Sequence, residues 1–160
     1  VGRIRVETGL RPTRVGPFQY RDGWPIVNYA GRLEILNRFI VIALGAALGA
    51  NARYIVGQWA GERFGPAYPY GTFVVNVTGS LVLGFLLTLG MGKINVSPEL
   101  RLFLAVGFLG SYTTFSSYAV ESFTLFQGGS PWGALINVAG NNLIGLVCVL
   151  LGVYLAKVIG

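Results

Sequence analysis

Histidine is absent from this 160-residue chain, and cysteine occurs once, at Cys148. A zinc site or a disulfide framework needs several such residues, so both are excluded. Without histidine, no serine or threonine has its usual activating base. The chain also has no Gly-x-x-x-x-Gly-Lys-Ser/Thr loop for ATP. These absences argue against catalysis, and we expect that the protein is not an enzyme.

Charge is also scarce, because only 11% of the residues are charged whereas 53% are hydrophobic. A typical soluble domain has about 25% charged residues. A membrane-spanning helix needs about 20 predominantly apolar residues. Apolar runs predict four helices, at roughly residues 36–60, 70–92, 100–126 and 131–158. The sequence therefore predicts an all-α membrane protein, and its small size favours association of several subunits in the lipid bilayer.

The first 35 residues differ from the rest, since they hold six arginines and three prolines and show no sustained helical or strand period. A basic segment beside a membrane is attracted to anionic headgroups by about 1 kcal/mol per Lys or Arg. We expect residues 1–35 to be a basic N-terminal extension that is poorly ordered or introduced by cloning, and residues 36–160 to form the four-helix transmembrane domain. No nucleic-acid-binding module accompanies the arginines, so nucleic acid is not an expected partner.

Residues 107–121 form the most polar stretch inside an apolar segment. Two glycines precede a cluster of hydroxyl side chains, and Glu121 follows the cluster. In hydrocarbon, irregular backbone survives only where it is buried in protein or faces water. This stretch therefore indicates an ion or solute pathway. The alternative is a helix whose hydroxyl groups bond to carbonyls of their own preceding turn.

Two charged residues lie inside the predicted spans, Arg53 in the first and Glu121 in the third. Intramembrane charges are costly and usually face a bundle interior or water. We expect Glu121 to make a buried polar contact. Arg53 either supports the structure or an entry vestibule, or extends its long side chain to the membrane surface.

Small and polar residues recur at helical spacing on three of the predicted helices. Glycines predict close helix packing: they are Gly45, Gly49, Gly57 and Gly61 on the first helix, and Gly79 and Gly84 on the second. Asn76 lies on the second helix, and Asn137 and Asn141 share a face of the fourth. These faces and the polar third segment predict a single wet track. In the alternative interpretation, Asn76 and Asn141 are hydrogen-bonding links between helices.

Three motifs together resemble the small fluoride ion channels of the Fluc type. The family pattern is Gly-Ala-x-x-Arg-Tyr, then Pro-x-Gly-Thr-x-x-Val-Asn-x-x-Gly-Ser, then Gly-Phe-x-Gly-Gly-x-Thr-Thr-Phe-Ser-Thr-Phe-x-x-Glu. This chain has matching residues, in order and at the right spacing, at 49–54, 69–80 and 107–121. The resemblance covers about residues 38–160 and leaves residues 1–35 outside.

The resemblance implies a passive fluoride-selective channel that exports cytoplasmic fluoride across the inner (plasma) membrane. It implies an antiparallel, dual-topology homodimer with four transmembrane helices per subunit, a broken third helix and two fluoride pores. A structural Na⁺ at the dimer centre is implied as well, held by the backbone carbonyls of Gly110 and Thr113. The pore residues that it implies are Asn76, Thr114, Phe115, Ser116, Ser117, Tyr118 and Asn141.

The chain departs from the family pattern at Ser111, Ser117 and Tyr118, where the pattern has Gly, Thr and Phe. Tyr118 adds a phenol that either donates to fluoride or narrows the path. Two other functions remain open. A small multidrug-type proton-coupled efflux transporter is expected to have a carboxylate in the first helix, where this chain has Arg53. A membrane assembly subunit without transport activity would leave the polar track unexplained.

Overall fold

The computed structural model describes residues 18–21, 24–27, 29–91 and 96–159. The described residues divide into two compact units between Asn37 and Arg38. The first unit contains a hairpin of strands β1 (Phe18–Arg21) and β2 (Trp24–Val27), paired antiparallel with Phe18 opposite Val27. Because this region of the sequence has no regular strand period, these two strands were not predicted. The assignment of residues 1–35 as a separate extension stays a prediction.

From Tyr29 onward, the described residues form four helical segments. The first is α1 (Tyr29–Phe64), which begins seven residues before the predicted position 36, and the second is α2 (Tyr70–Met91). The third segment comprises α3 (Pro98–Arg101), a π-helical stretch (Leu102–Leu109), α4 (Gly110–Tyr112) and α5 (Phe115–Gln127). The fourth comprises α6 (Pro131–Ala139), a π-helical stretch (Gly140–Ile144) and α7 (Gly145–Ile159).

Local sequence accounts for where these segments begin and end. Pro98 and Pro131 occupy first helical turns, where the missing N–H is harmless. The Ser97 hydroxyl caps α3 by accepting from the Leu100 amide at 3.2 Å. Gly65 and Gly129 have φ of 80° and 81°, a left-handed conformation that suits glycine at the ends of α1 and α5.

Three helices in the described residues are long and apolar enough to cross a membrane: Leu33–Phe64, Tyr70–Gly90 and Pro131–Ile159. The third segment is absent from this set because extended backbone at Thr113 and Thr114 divides it. Buried apolar side chains are mostly small, such as Ala60, whereas most large ones are exposed. Large apolar side chains on the outside, with small ones at helix contacts, are typical of membrane proteins.

Glycines bring the helix backbones into close contact at two interfaces. A Cβ on Gly49 would overlap the Phe108 carbonyl oxygen, and one on Gly107 would lie 2.7 Å from the Ile42 carbonyl oxygen, so α1 packs directly on the third segment. A Cβ on Gly84 would lie 2.6 Å from the Val149 carbonyl oxygen, which places α2 equally close to α7. The close packing predicted from the glycines is confirmed at Gly49 and Gly84, whereas a Cβ on Gly61 would meet nothing within 4 Å among the described residues.

Candidate functional site

The site is centred on the interruption of the third segment. Helix α4 ends at Tyr112, Thr113 and Thr114 have extended backbone, and α5 begins at Phe115. The Asn76 side chain of α2 binds both backbone groups of Thr114: Oδ1 accepts from the Thr114 amide at 2.8 Å, and Nδ2 donates to the Thr114 carbonyl at 3.1 Å. Because a buried unpaired backbone group is costly, this double contact makes extended backbone tolerable at membrane depth.

Two backbone carbonyls at the interruption do not receive their usual helical hydrogen bonds. In a continuous helix the Thr114 amide would donate to Gly110, but here it donates to Asn76. The Ser117 amide would likewise donate to Thr113, but it donates to the Thr114 hydroxyl at 3.2 Å. The carbonyls of Gly110 and Thr113 therefore do not accept the hydrogen bonds that a continuous helix would give them.

A directional chain of hydrogen bonds extends from Asn76 into the fourth segment. Asn76 Nδ2 donates to Asn141 Oδ1 at 2.9 Å, and Asn141 Nδ2 donates to Asn137 Oδ1 at 2.9 Å. Asn137 is fully buried and donates to the Ser122 hydroxyl at 2.9 Å, which donates to the Tyr118 carbonyl at 2.8 Å. Each hydrogen bond in this series donates in the same direction, from Asn76 towards the Tyr118 carbonyl. It joins the interruption, the fourth segment and α5 into one polar network.

A cavity of about 260 Å³ opens beside this network. No charged side chain lines it, and its polar groups are amides, hydroxyls and backbone. Its lining residues are Asn76, Gly79, Ser80, Leu83, Thr113, Thr114, Phe115, Tyr118, Asn141 and Asn142. The structure therefore brings together five of the seven predicted pore residues, at positions 76, 114, 115, 118 and 141.

The remaining two predicted pore residues, Ser116 and Ser117, lie outside the cavity lining. Ser117 Oγ accepts from the Thr114 hydroxyl at 3.0 Å. The exposed Ser116 hydroxyl lies 3.4 Å from the Thr114 hydroxyl oxygen. Both serines thus contact Thr114 at the first turn of α5.

The two aromatic residues of the motif pack against each other at the cavity. The rings of Phe115 and Tyr118 are 5.4 Å apart at 64°, an edge-on arrangement. Phe115 is 77% exposed, whereas Tyr118 is 9% exposed. An aromatic ring carries its positive charge at the edge, so these rings offer an anion an attractive edge without a fixed charge.

Glu121 and Arg53 lie away from the cavity lining. The Thr72 hydroxyl donates to Glu121 Oε1 at 2.6 Å, which links α2 to α5, while the buried Oε2 has no hydrogen-bond partner among the described residues. Arg53 is half-buried, and no hydrogen bond or ion pair is found for it in the described part of the chain. These contacts agree with a buried polar role for Glu121, whereas the role of Arg53 stays a prediction.

Sequence reasoning missed Asn142 and Ser122 as members of the network. Asn142 lies on the cavity and donates to the Tyr118 hydroxyl at 2.9 Å. The two adjacent asparagines in an otherwise apolar helix could have indicated this role for Asn142. Side chains one position apart point in different directions, so each asparagine needs its own hydrogen-bond partner.

The fold and the site define a multi-pass membrane protein with an uncharged polar cavity at a helix interruption. The family model described as CrcB-like protein, Camphor Resistance (CrcB), matches residues 40–153, which is most of the chain. The protein belongs to this family. The family resemblance inferred from the sequence is thereby confirmed.

Curated relatives match over most of their own length. Fluoride-specific ion channel FluC of Chloroflexus aurantiacus is 46% identical over 125 residues, covering 78% of this chain and 99% of that protein. The protein of the same name from Trichormus variabilis is 42% identical over 122 residues, covering 76% and 89%. That from Rhizobium meliloti is 39% identical over 122 residues, covering 76% and 98%.

These relatives are named as ion channels, and the expectation that this chain is not an enzyme is confirmed by its membership of their family. Together with the apolar helices, the comparisons identify a multi-pass protein of the plasma membrane with a role in ion transport.

Proposed function

We propose that this protein is a passive, fluoride-selective channel that lets cytoplasmic fluoride leave the cell. The observation that carries the proposal is the uncharged, donor-bearing cavity at the interrupted third segment, in a chain whose relatives are named fluoride-specific ion channels. Fluoride enters cells as HF and is trapped as the anion, so an open path down its gradient is sufficient for export. Neither ATP nor a proton gradient is required.

The cavity chemistry suits fluoride because this anion is small and strongly hydrated. A selective path has to replace its water with compact hydrogen-bond donors. One N–H of Asn76 is held by the Thr114 carbonyl, and the other points at Asn141 Oδ1, so fluoride would replace that oxygen as acceptor. Neutral donors and ring edges bind the ion without a fixed charge to trap it, as conduction requires.

The released carbonyls of Gly110 and Thr113 fit a structural Na⁺ at the centre of an antiparallel homodimer. Carbonyl oxygens are suitable ligands for a hard cation. One copy offers two such groups, so a second copy related by a twofold axis would supply the rest of the coordination shell. The sodium would join the two subunits electrostatically at the point where each third segment is interrupted.

The test is ion efflux from liposomes loaded with fluoride or chloride and containing the purified protein. We expect rapid fluoride efflux, little chloride efflux, and no dependence on ATP or on a pH gradient. Comparable efflux of both halides would contradict the selectivity. Efflux that requires a proton gradient would instead indicate a coupled transporter, and absence of efflux from a folded dimer would indicate an assembly role.

A further inference from the structure

We propose that Asn142 orients the Tyr118 hydroxyl so that the phenol donates a hydrogen bond to an anion in the cavity. Tyr118 would then act through its O–H as well as its ring edge, and Asn142 would be the positioning residue. The inference rests on the proposed function, since it concerns the ion that occupies the same cavity. It starts from a contact between two residues that both line that cavity.

The Asn142 amide is fixed by two contacts. Nδ2 donates to the Val138 carbonyl at 2.8 Å and to the Tyr118 hydroxyl oxygen at 2.9 Å. A carbonyl only accepts hydrogen bonds, so the Val138 contact determines that the NH₂ end of the amide faces Tyr118. Both amide hydrogens are thereby committed, and Asn142 itself has none left for an ion.

The orientation of the phenol follows from this contact. A phenol has one hydrogen to donate, and its oxygen here accepts from Asn142, so the hydrogen must point away from the Asn142 nitrogen. Among the described residues, no acceptor is found for it. Tyr118 is only 9% exposed, and the free space that it meets is the cavity it lines together with Asn76 and Asn141. The O–H is therefore available to an acceptor in that space.

This geometry adds a second neutral donor to the cavity that Asn76 also lines. Fluoride accepts hydrogen bonds much more strongly than chloride, because its charge is concentrated on a smaller ion. A site that provides preorganised donors therefore favours fluoride, and it leaves costly unpaired donors when the ion fits poorly. The departure from phenylalanine at position 118 thus contributes to selectivity in this chain and does not close the path.

Three variants test the proposal in the liposome assay: Tyr118→Phe, Asn142→Leu and the double variant. Tyr118→Phe removes the O–H but keeps the ring edge, so we expect fluoride efflux to fall by about ten-fold or more, the effect of losing one hydrogen bond to a charged group. Asn142→Leu frees the hydroxyl to rotate and should reduce the fluoride-to-chloride efflux ratio. The double variant should resemble Tyr118→Phe, because Asn142 acts only through Tyr118.

Two controls separate this role from general damage. Asn51→Leu removes an exposed asparagine whose Nδ2 also donates to the carbonyl four residues earlier, at 2.7 Å, without touching the cavity. Tyr154→Phe removes an exposed phenol hydroxyl from α7. Both should conduct as the unmodified protein does, with an unchanged efflux ratio.

A spectroscopic measurement gives a readout independent of flux. In protein labelled with ¹³C at tyrosine Cζ, the Tyr118 signal, assigned by its loss in Tyr118→Phe, should shift when NaF replaces NaCl, and Asn142→Leu should reduce that shift. The inference is overturned if the unmodified channel selects fluoride but Tyr118→Phe and Asn142→Leu match it in fluoride efflux and in efflux ratio, or if the Tyr118 signal is the same in NaF as in NaCl. If the unmodified protein does not select fluoride, the proposed function fails instead.

Discussion

At the scale of single residues, Asn76 has two tasks that the sequence alone could not separate. Its carboxamide satisfies both backbone groups of Thr114, and its remaining N–H points at Asn141 beside the cavity. The family resemblance assigned Asn76 to the pore. The structure adds that the same side chain stabilises the interruption on which the cavity depends.

Replacement of Asn76 by alanine should therefore lower stability as well as fluoride flux. The amide and carbonyl of Thr114 would each lose a partner, at a cost of about 1–3 kcal/mol per buried unsatisfied group. Thermal unfolding in detergent measures this loss. Asn51→Ala is the matched control, because its side chain bonds only within its own helix at an exposed position, and it should leave the unfolding temperature nearly unchanged. Equal unfolding temperatures for the two variants would contradict the capping role.

Phe115 offers a contrasting case, since its exposed ring supports little of the subunit core. Phe115→Ala should leave the proposed dimer assembled and the unfolding temperature of the protein nearly unchanged. An aromatic edge contact is worth about 0.5–1.5 kcal/mol, so fluoride efflux should fall by up to about ten-fold. Size-exclusion chromatography and liposome efflux measure the two quantities. Normal efflux from an intact Phe115→Ala dimer would remove Phe115 from the pore assignment.

At the scale of helices, the bundle depends on backbone contacts at glycine. Gly49 faces the Phe108 carbonyl so closely that no side chain fits between α1 and the third segment. In lipid, such packing and interhelical hydrogen bonds replace the hydrophobic effect as the source of helix association. The contact holds the third segment against α1 a few residues before its interruption.

Gly49→Ala should consequently separate α1 from the third segment, because the new methyl group meets backbone atoms that cannot rotate away. We expect a lower unfolding temperature and a loss of assembled protein in detergent. Gly61→Ala on the same helix is the control, since a Cβ there meets nothing within 4 Å of the same chain. It should gain roughly 0.5–1 kcal/mol of helix stability. Similar behaviour of the two variants would contradict the packing argument.

At the scale of the whole molecule, the charge distribution favours a single orientation in the membrane, whereas the proposed antiparallel dimer requires two. Four crossings place both ends of the bundle on one side, and the six arginines in residues 1–35 bias that side towards the cytoplasm. An antiparallel dimer needs both orientations of the same chain. We expect both, because the Gly110 and Thr113 carbonyls would complete the proposed sodium site only if two copies met about a twofold axis.

Cysteine labelling decides the topology. Cys148 is replaced by serine, and a single cysteine is introduced at Gly129, in the exposed loop between α5 and α6. A membrane-impermeant reagent should then label about half of the protein from each side of intact cells or oriented vesicles. A cysteine in the loop at residues 66–67, between α1 and α2, serves as the matching site, because four crossings place this loop on the same side of the membrane as Gly129. Labelling of each site from one side only would contradict dual topology.

The sequence by itself determined the membrane class, the helical segments and the family, because apolar run length and motif spacing are local properties of the chain. The family resemblance implied a break of the third helix at Gly110 to Thr113, and the extended backbone lies at Thr113 and Thr114. Only the tertiary structure decided which groups are partners: that Asn76 caps Thr114, that Asn142 binds Tyr118, and that Ser116 and Ser117 lie outside the cavity. These pairings join helices far apart in the sequence. They follow from rotations and close glycine contacts that helical periodicity alone does not fix.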